Sequence, residues 1–140
     1  MALIYKKYIT REDLQNNPDD LFVFGDNLKR AGFGGQAKEM RGEPNAVGIP
    51  TKISPNMTED AFLKQYHFGE WYSATRYDLY MLRGAMYSGA NVIWPMDGIG
   101  TGLANLKNNS PKIWKVIDEF RKELQAIAEF RKEIELNMDK

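Results

Sequence analysis

The sequence predicts an α/β domain in which helices cover both faces of a central β-sheet. Apolar runs of strand length alternate with segments of helical periodicity along the 140 residues. Two glycine-rich loops each follow one of those apolar runs. Because helices between strands favour parallel pairing, we expect a three-layer α/β/α arrangement with a mixed, mostly parallel central sheet.

The first part of the chain predicts two strands and one short helix. Residues 3–8 form a candidate edge strand. Thr10, with Asp13 three residues later, is typical of a helix N-cap, so a short helix should follow and end near residue 17. The compact apolar run at residues 21–24 is best explained as a central strand.

The middle of the chain predicts another buried strand between helical segments. A helical turn or two is expected over residues 35–40, and a strand over residues 46–50. Pro50 should end that strand, because proline has no N–H to donate to a neighbouring strand. After a turn at residues 54–56, the acidic residues that follow a threonine predict a helix over residues 58–66.

The second half predicts two long helices around one strand. The first helix should cover residues 70–87 and end at Gly89, and a strand should follow at residues 91–96. Ser110 and Pro111 then suit the N-cap and the first position of another helix. Apolar positions three and four residues apart give each helix a buried face, formed by Trp71, Thr75, Leu79, Leu82 and Met86 in the first helix and by Ile113, Ile117, Phe120, Leu124 and Ile127 in the second.

Past Ala128 the last helix is rich in charged residues. Residues 119–124 and 129–134 nearly repeat, but their offset fits no heptad. Residues 129–140 are therefore interpreted as an extended end of the C-terminal helix, which either projects from the domain or packs on a neighbouring chain.

Composition and charge narrow the classes of function. Lys plus Arg equals Asp plus Glu at 19 each, which argues against a broad duplex-DNA binder. The chain has no cysteine, and its one histidine, His67, has no metal-ligand partner at a suitable spacing, so no metal site is predicted. The N-terminal residues lack the apolar core of a signal peptide, and no window reaches the roughly 18 apolar residues of a membrane span. We expect a single domain over residues 1–140, a cytoplasmic location, no membrane association and no cofactor.

The two glycine-rich loops carry the strongest indication of function. Residues 25–35 are named the first glycine loop, and residues 97–103 the second glycine loop. Glycine permits a positive φ and the close approach of a ligand, and consecutive N–H groups in such loops form a concave nest for anionic oxygens. Because ligands bind outside the carboxyl ends of the strands in open sheets, the loops predict one site that holds a phosphate-bearing molecule from both sides.

The order of these segments resembles that of the macro domain, the fold that binds ADP-ribose and its derivatives. Macro domains carry an apolar strand that ends in asparagine and a glycine-rich stretch that enters a helix, as in residues 22–27 and 32–37. Later they carry an apolar strand that ends in proline and a glycine-rich phosphate loop before the last helix, as in residues 92–96 and 98–103. The similarity extends over residues 21–120, and the shortness of the chain indicates a divergent branch of the family.

The resemblance implies a site for an ADP-ribose-like nucleotide. Asn27 would lie near the distal ribose, and Thr101 would offer a hydroxyl to the diphosphate. Candidates for contacts with the adenine, by an acid or by a stacking aromatic ring, are Asp19, Asp20, Asp26, Phe33, Tyr66 and Trp94. The full set of implied ligand-binding residues is Gly25, Asp26, Asn27, Gly32, Phe33, Gly34, Gly35, Gly98, Ile99, Gly100, Thr101, Gly102 and Leu103.

The resemblance also implies three candidate catalytic residues. In one branch of the family a lysine attacks the distal ribose and an aspartate in the second glycine-rich loop assists, and Lys52 and Asp97 are the candidates here. A lysine nucleophile needs a lowered pKa. Ala104 stands where that branch keeps its acid, so a water positioned by Asn27 and Asp97 is the alternative. Either route would make the protein an ADP-ribosyl hydrolase or an ADP-ribose-1″-phosphatase.

Two other classes of function are compatible with the same residues. A non-catalytic reader or sponge of ADP-ribose needs only the loops, for example in a phage protein that captures a host signalling nucleotide. An interaction protein would form homo-oligomers through the C-terminal helix, with both loops purely structural. The structural explanations are turns for the glycines, an Asx turn for Asp26 and Asn27, a solvated side chain for Lys52 and a strand-end turn for Asp97.

Overall fold

The structure is a computed structural model that describes residues 2–102 and 104–138. Within those residues the strands are β1 (Leu3–Lys6), β2 (Leu21–Asn27), β3 (Ala46–Lys52) and β4 (Val92–Pro95). The helices are α1 (Arg11–Asn16), α2 (Ala37–Met40), α3 (Phe68–Tyr87), α4 (Leu106–Asn109) and α5 (Pro111–Met138). This alternation of strands and helices confirms the predicted α/β class.

The strands form one parallel sheet in the order β1-β4-β2-β3. β2 lies inside the sheet between β4 and β3, and β1 lies at an edge, as the sequence predicts. Within the described residues, the antiparallel part of the predicted mixed sheet is reduced to one isolated bridge between Lys52 and Phe62. All the pairings between these four strands are therefore parallel.

β2 is longer than the apolar run that predicts it. The strand continues through Gly25, Asp26 and Asn27, which the sequence assigns to the first glycine loop. Pairing explains the extension, since Gly25 lies opposite Ile49 of β3 and Asp26 lies opposite Pro50, before a register shift at Asn27. Pairing with a neighbouring strand thus outweighs the low strand propensity of glycine and aspartate.

Pro50 lies inside β3 and not at its end, contrary to the prediction. The strand accommodates proline because β3 is an edge strand with β2 on one side only. Side chains cover its other side, where Arg30 Nη1 donates to the carbonyl of Gly48 at 2.6 Å and Trp71 Nε1 donates to the carbonyl of Pro50 at 2.7 Å. These contacts occupy an edge that would otherwise be free to pair with another chain.

The helix predicted over residues 58–66 is replaced by two single 3₁₀ turns, Glu59–Ala61 and Gln65–His67. The chain between the turns is extended. Ala61 and Leu63 are both buried, and a spacing of two suits an extended chain and not a helix. The burial of two alternate side chains therefore outweighs the helix-capping signal of the acidic residues.

The two long helices agree with the prediction. Every residue predicted to face the core is buried in α3 and in α5. Gly89 follows α3 with a φ of 94°, a conformation that ends a helix and favours glycine. Ser110 and Pro111 stand at the predicted N-cap and first positions of α5, and the carbonyl of Ser110 accepts from the N–H of Trp114 at 3.0 Å. The hydroxyl of Ser110 and the N–H of Lys112 both donate to Gln65 Oε1, at 3.2 Å and 2.9 Å. The sequence did not indicate α4, a single turn that precedes this helix.

Side chains of β2 enter two separate apolar clusters. Val23 packs in the larger cluster together with residues of α3 and α5. Its neighbours Phe22 and Phe24 pack in the smaller cluster together with residues of α1 and α2. Successive side chains of a strand point to opposite faces, so both faces of β2 are covered by helical residues.

The last turns of α5 continue beyond the core. Ala128 is the last buried residue of the described chain, and Phe130 and Leu136 are 55% and 58% exposed. Although α5 is long, none of the described helices combines the length and the apolar character that crossing a membrane requires.

A chain that ends at Ala128 should be nearly as stable as the full chain. None of the described residues after Ala128 is buried, so the free energy of unfolding in urea should stay within about 1 kcal/mol of the full-length value. A chain that ends at Ala126 also lacks the buried Ile127 and Ala128 and should lose about 2 kcal/mol or more. Equal stability of the two shortened chains would contradict this boundary of the core.

Candidate functional site

The carboxyl ends of β2, β3 and β4 border a cleft of about 460 Å³. Because these strands are parallel, the segments that follow them lie at one edge of the sheet. Both glycine loops reach this cleft. The predicted ligand-binding residues that line it are Gly25, Asp26, Asn27, Gly32, Gly34, Gly35, Gly98, Ile99, Gly100, Thr101 and Gly102.

Several backbone N–H groups at the two glycine loops have no acceptor in the part of the protein that the structure describes. Among the described residues, none accepts a hydrogen bond from the N–H groups of residues 33–36 or of residues 99–102. Backbone N–H groups are strong donors that need a partner, which water or a ligand supplies where the protein does not. The cleft is therefore flanked by two rows of available donors, the kind of surface that binds anionic oxygens.

Two loop glycines occupy positions that a side chain would disturb. Gly100 has a φ of 76°, and a Cβ there would lie 2.9 Å from the Cβ of Leu106. Gly32 has a φ of 92°, and a Cβ there would lie 2.9 Å from a proline side chain. Gly34 and Gly102 differ, because a Cβ at either would meet none of the described atoms within 4 Å beyond the adjoining residues, and neither has a positive φ. The fold requires the first pair of glycines but not the second.

Asn27 lines the cleft, but its side chain is bonded within the first glycine loop. The residue is 7% exposed. Its Nδ2 donates to the carbonyl of Ala31 at 2.8 Å, and its Oδ1 accepts from the N–H of Lys29 at 3.0 Å. These bonds match the Asx turn of the structural explanation and leave one Nδ2 hydrogen for a ligand.

The carboxylate of Asp26 is buried and paired with two arginines. Its Oδ1 lies 2.5 Å from Arg41 Nη2, and its Oδ2 lies 3.5 Å from Arg30 Nη1. Arg30 also pairs with Asp78 at 2.7 Å, and burial raises the pKa of Asp78 above its usual value. Because a buried charge needs its partners, the carboxylate of Asp26 is committed to these pairs. These pairs do not support the expectation that Asp26 contacts the amine of an adenine.

Lys52 lies at the end of β3 and lines the cleft. Its Nζ donates to the carbonyl of Asn56 at 2.6 Å and lies 5.2 Å from the centre of the Phe62 ring. Burial lowers the pKa of Lys52 below its usual value. A nucleophilic lysine requires a lowered pKa, and Lys52 meets this requirement. In its protonated form, the same side chain places a positive charge at the cleft.

Two candidates within the glycine loops do not line the cleft. Asp97 is exposed, and its carbonyl accepts from the hydroxyl of Thr101 at 2.8 Å, as in the strand-end turn of the structural explanation. Its predicted catalytic role is therefore not supported by its position. Phe33 is 64% exposed and also lies off the cleft. The predicted ligand-binding residue Leu103 lies outside the described residues.

The other candidates for contacts with the adenine lie elsewhere in the fold. Asp19 and Asp20 precede β2, so they lie toward the amino end of that strand, away from the cleft. Trp94 is 1% exposed in the larger apolar cluster, and Tyr66 is 82% exposed on a 3₁₀ turn. None of these four residues lines the cleft.

The cleft also includes residues that the sequence analysis missed. Thr51 is 5% exposed, and its Oγ1 donates to the carbonyl of Asp26 at 3.2 Å. The sequence could have indicated Thr51, because this residue directly follows the predicted strand at residues 46–50. The carboxyl ends of parallel strands lie at the same edge of the sheet, where the cleft was expected. Nothing local marks Arg41, because Asp26 lies 15 positions away. The remaining missed residues are Ala31, Gln36, Ala37, Ser54, Pro55, Met57, Pro95 and Ala104.

Metal ligands are not assembled in the part of the chain that the structure describes. His67 has a local structural contact, since its Nδ1 accepts from the N–H of Lys64 at 2.8 Å. The polar groups of the cleft are instead backbone donors, hydroxyls, amides and paired charges, which suit an organic anion.

Residues 4–120 match a family model described as "Family of unknown function (DUF7831)". The match spans more than half of the chain, so the protein belongs to this family. It includes both glycine loops and ends within α5. No curated protein and no solved structure matches the chain.

Lys52 should be acetylated faster than the exposed lysines Lys38 and Lys115 by limiting acetic anhydride at neutral pH. A lowered pKa leaves a larger fraction of its amine neutral, and only the neutral amine reacts. The difference in acetylation rate between Lys52 and the other two lysines should become smaller as the pH approaches 10.5, the usual pKa of a lysine. Mass spectrometry of competitively labelled protein measures the rates, and the urea-unfolded chain is the control in which the three lysines should react alike. Reaction of Lys52 no faster than the other two in the folded chain would contradict its lowered pKa.

Proposed function

We propose that the protein binds ADP-ribose or a related nucleotide derivative in the cleft between the two glycine loops. One observation carries the proposal: the N–H groups of residues 33–36 and 99–102, which donate to none of the described residues, belong to two segments that line the same cleft. A diphosphate presents two adjacent sets of anionic oxygens, so each row of donors has a phosphate to bind.

The size and the charge of the cleft support a ligand of this kind. Its volume of about 460 Å³ lies within the range of about 300–1,000 Å³ that is typical of small-molecule sites. Among the described lining residues, the charged side chains are those of Asp26, Arg41 and Lys52, so cations outnumber carboxylates. The arginine pairs of Asp26 offset its negative charge, and the remaining field favours an anion.

Two amide side chains at the cleft suit the hydroxyls of a ribose. Gln36 lines the cleft, and its Oε1 is buried without a hydrogen-bond partner among the described residues. Asn27 keeps one Nδ2 hydrogen beyond its bond to Ala31. A sugar hydroxyl both donates and accepts, so an unpaired acceptor and an unpaired donor fit it well.

The division of the core supports a likeness to the macro domain. In the three-layer α/β/α arrangement that we propose, α3 and α5 cover one face of the sheet, and α1 and α2 cover the other. The two separate apolar clusters are what such layers would produce. The proposed likeness extends to the position of the ligand, at loops that follow two parallel strands.

Binding without catalysis is favoured over hydrolysis. Asp97, the acid of the hydrolytic hypothesis, does not line the cleft, and Ala104, which does, has no acidic group. The amide of Asn27 is bonded within its own loop. Lys52 remains as a nucleophile with a lowered pKa, but hydrolysis also needs a group that transfers a proton at the leaving atom.

Isothermal titration should give clear binding of ADP-ribose and weaker binding of AMP. AMP has one phosphate and would engage one row of donors, so its affinity should be lower by about tenfold or more, equivalent to about 1.4 kcal/mol. Chromatography after the titration should recover the ADP-ribose intact. Absence of heat with both ligands would overturn the proposed function. Recovery of cleaved ADP-ribose would favour the hydrolase over the non-catalytic binder.

Introducing a carboxylate into either loop should abolish most of the affinity for ADP-ribose. Gly34→Glu and Gly102→Glu are the suitable variants, because a Cβ there would lie within 4 Å of none of the described atoms outside the adjoining residues, and the backbone φ is not positive. A carboxylate close to the bound phosphates should reduce affinity by about tenfold or more in each case through like-charge repulsion. Gly100→Glu would be a poor test, because the backbone and Leu106 make that position strained.

Gly69→Glu is the matched control for these two variants. Gly69 is exposed near the start of α3, outside the cleft, and a Cβ there would also meet no described atom within 4 Å apart from its own helix backbone and chain neighbours. The control should bind ADP-ribose as the wild type does, and all three variants should retain a cooperative thermal transition. Unchanged affinity in both loop variants would place the ligand elsewhere.

A further inference from the structure

The buried carboxylate of Asp26 lies within the first glycine loop and is held in place by the sheet. Asp26 is 6% exposed in β2, where pairing with β3 holds its backbone. Removing a charge from water is costly unless partners replace the lost solvation. The carboxylate therefore needs the neighbouring cations to stabilise its charge, and the nearest of these is Arg41.

Arg41 connects this carboxylate to the backbone of the loop. Its Nε donates to the carbonyl of Gly32 at 2.7 Å, and its Nη2 donates to the carbonyl of Ala31 at 3.2 Å. Nη1 and Nη2 also donate to the two carboxylate oxygens of Asp26. Four of the five N–H donors of the guanidinium are thus committed to protein acceptors.

These bonds fix the direction of two peptide groups. A peptide unit is planar, and its N–H points opposite to its C=O. By holding the carbonyls of Ala31 and Gly32, Arg41 also sets the direction of the N–H groups of Gly32 and Phe33. The chain passes from these peptides directly into residues 33–36, whose N–H groups donate to no described residue. Rotation of either peptide would displace that row of donors.

The side chain of Arg41 is well placed to act through the loop. It is 17% exposed, and its guanidinium carbon lies 5.6 Å from the centre of the Phe24 ring, so the group is packed as well as hydrogen-bonded. Arg30 also lies near Asp26, but it donates to Gly48, Ala74 and Asp78 and thereby braces β3 and α3. Only Arg41, of the two arginines, binds the carbonyls of the loop.

We infer that Arg41 is a positioning residue, which holds the first glycine loop in the shape that binds the diphosphate of the ligand. The inference rests on the proposed function of the cleft. Arginine is needed here for its planar fork, because the ammonium of a lysine cannot hold a carboxylate and two carbonyls in one plane. A direct charge contact with phosphate, by contrast, would tolerate lysine.

The test compares the binding of ADP-ribose and inorganic pyrophosphate by the wild type, Arg41→Lys and Arg83→Lys. Arg83 is the matched control, because its guanidinium also binds a carboxylate with two donors, at Glu123, but it lies between α3 and α5 outside the cleft. Arg41→Lys should lose about tenfold or more in affinity for both ligands, as expected when a group that orients a binding residue is removed. Arg83→Lys should bind as the wild type does.

The outcomes separate this inference from the proposed function. If the wild type binds and Arg41→Lys binds equally well, the positioning role is overturned while the proposed function stands. If the wild type binds neither ligand, the proposed function fails and the inference fails with it. Loss of binding in Arg41→Lys with a thermal transition close to that of Arg83→Lys supports the inference.

A measurement on the wild type covers the case in which Arg41→Lys does not fold. In nuclear magnetic resonance spectra, the Nε–H of Arg41 should be protected from exchange with water both before and after pyrophosphate is added, because it is bonded to Gly32. The amide resonances of Gly34 and Gly35 should shift on addition of pyrophosphate. Rapid exchange of the Arg41 Nε–H in the free protein, or unmoved amide resonances in a chain that binds pyrophosphate, would overturn the inference.

Discussion

Parallel pairing of β2 with β3 on one side and β4 on the other is the constraint on which the rest of the structure depends. It brings the carboxyl ends of three strands to one edge, where each chain segment leaves the sheet. Antiparallel neighbours would end at opposite edges, and the two glycine loops would then be separated by the length of a strand. The same pairing requires crossover connections, and α1, α2 and α3 lie within them.

The cleft at that edge is formed largely by main chain. Its polar side chains are mostly committed, since Asn27 is bonded within its loop and Asp26 is paired with Arg41 and Arg30. At the first glycine loop, the available N–H groups follow a segment that is held by these buried charges and hydrogen bonds. Such a framework suits the binding of an anion, because the donors are oriented before the ligand arrives. Lys52 is the one sequence-predicted catalytic side chain that keeps both a place at the cleft and a perturbed pKa.

The described end of α5 contributes no residue to the lining of the cleft. The cleft-lining residues precede Leu106, and the family match ends at residue 120, whereas α5 continues to Met138. Phe130 and Leu136 are exposed beyond the last buried residue of the described chain.

Local signals in the sequence determined the α/β class, the central position of β2, the two long helices with their buried faces, and the presence of both glycine loops. These features follow from periodicity and from residue types that act over a few positions. Tertiary structure alone decided that β2 extends through Asn27, that Pro50 lies within an edge strand, and that two 3₁₀ turns replace the helix predicted over residues 58–66. Tertiary structure also determined the arrangement of the cleft, because the bonds from Arg41 to Asp26 and Gly32 join residues that are not neighbours in the sequence. Burial of the Asp26 carboxylate makes those bonds necessary, and burial is a property of the assembled fold.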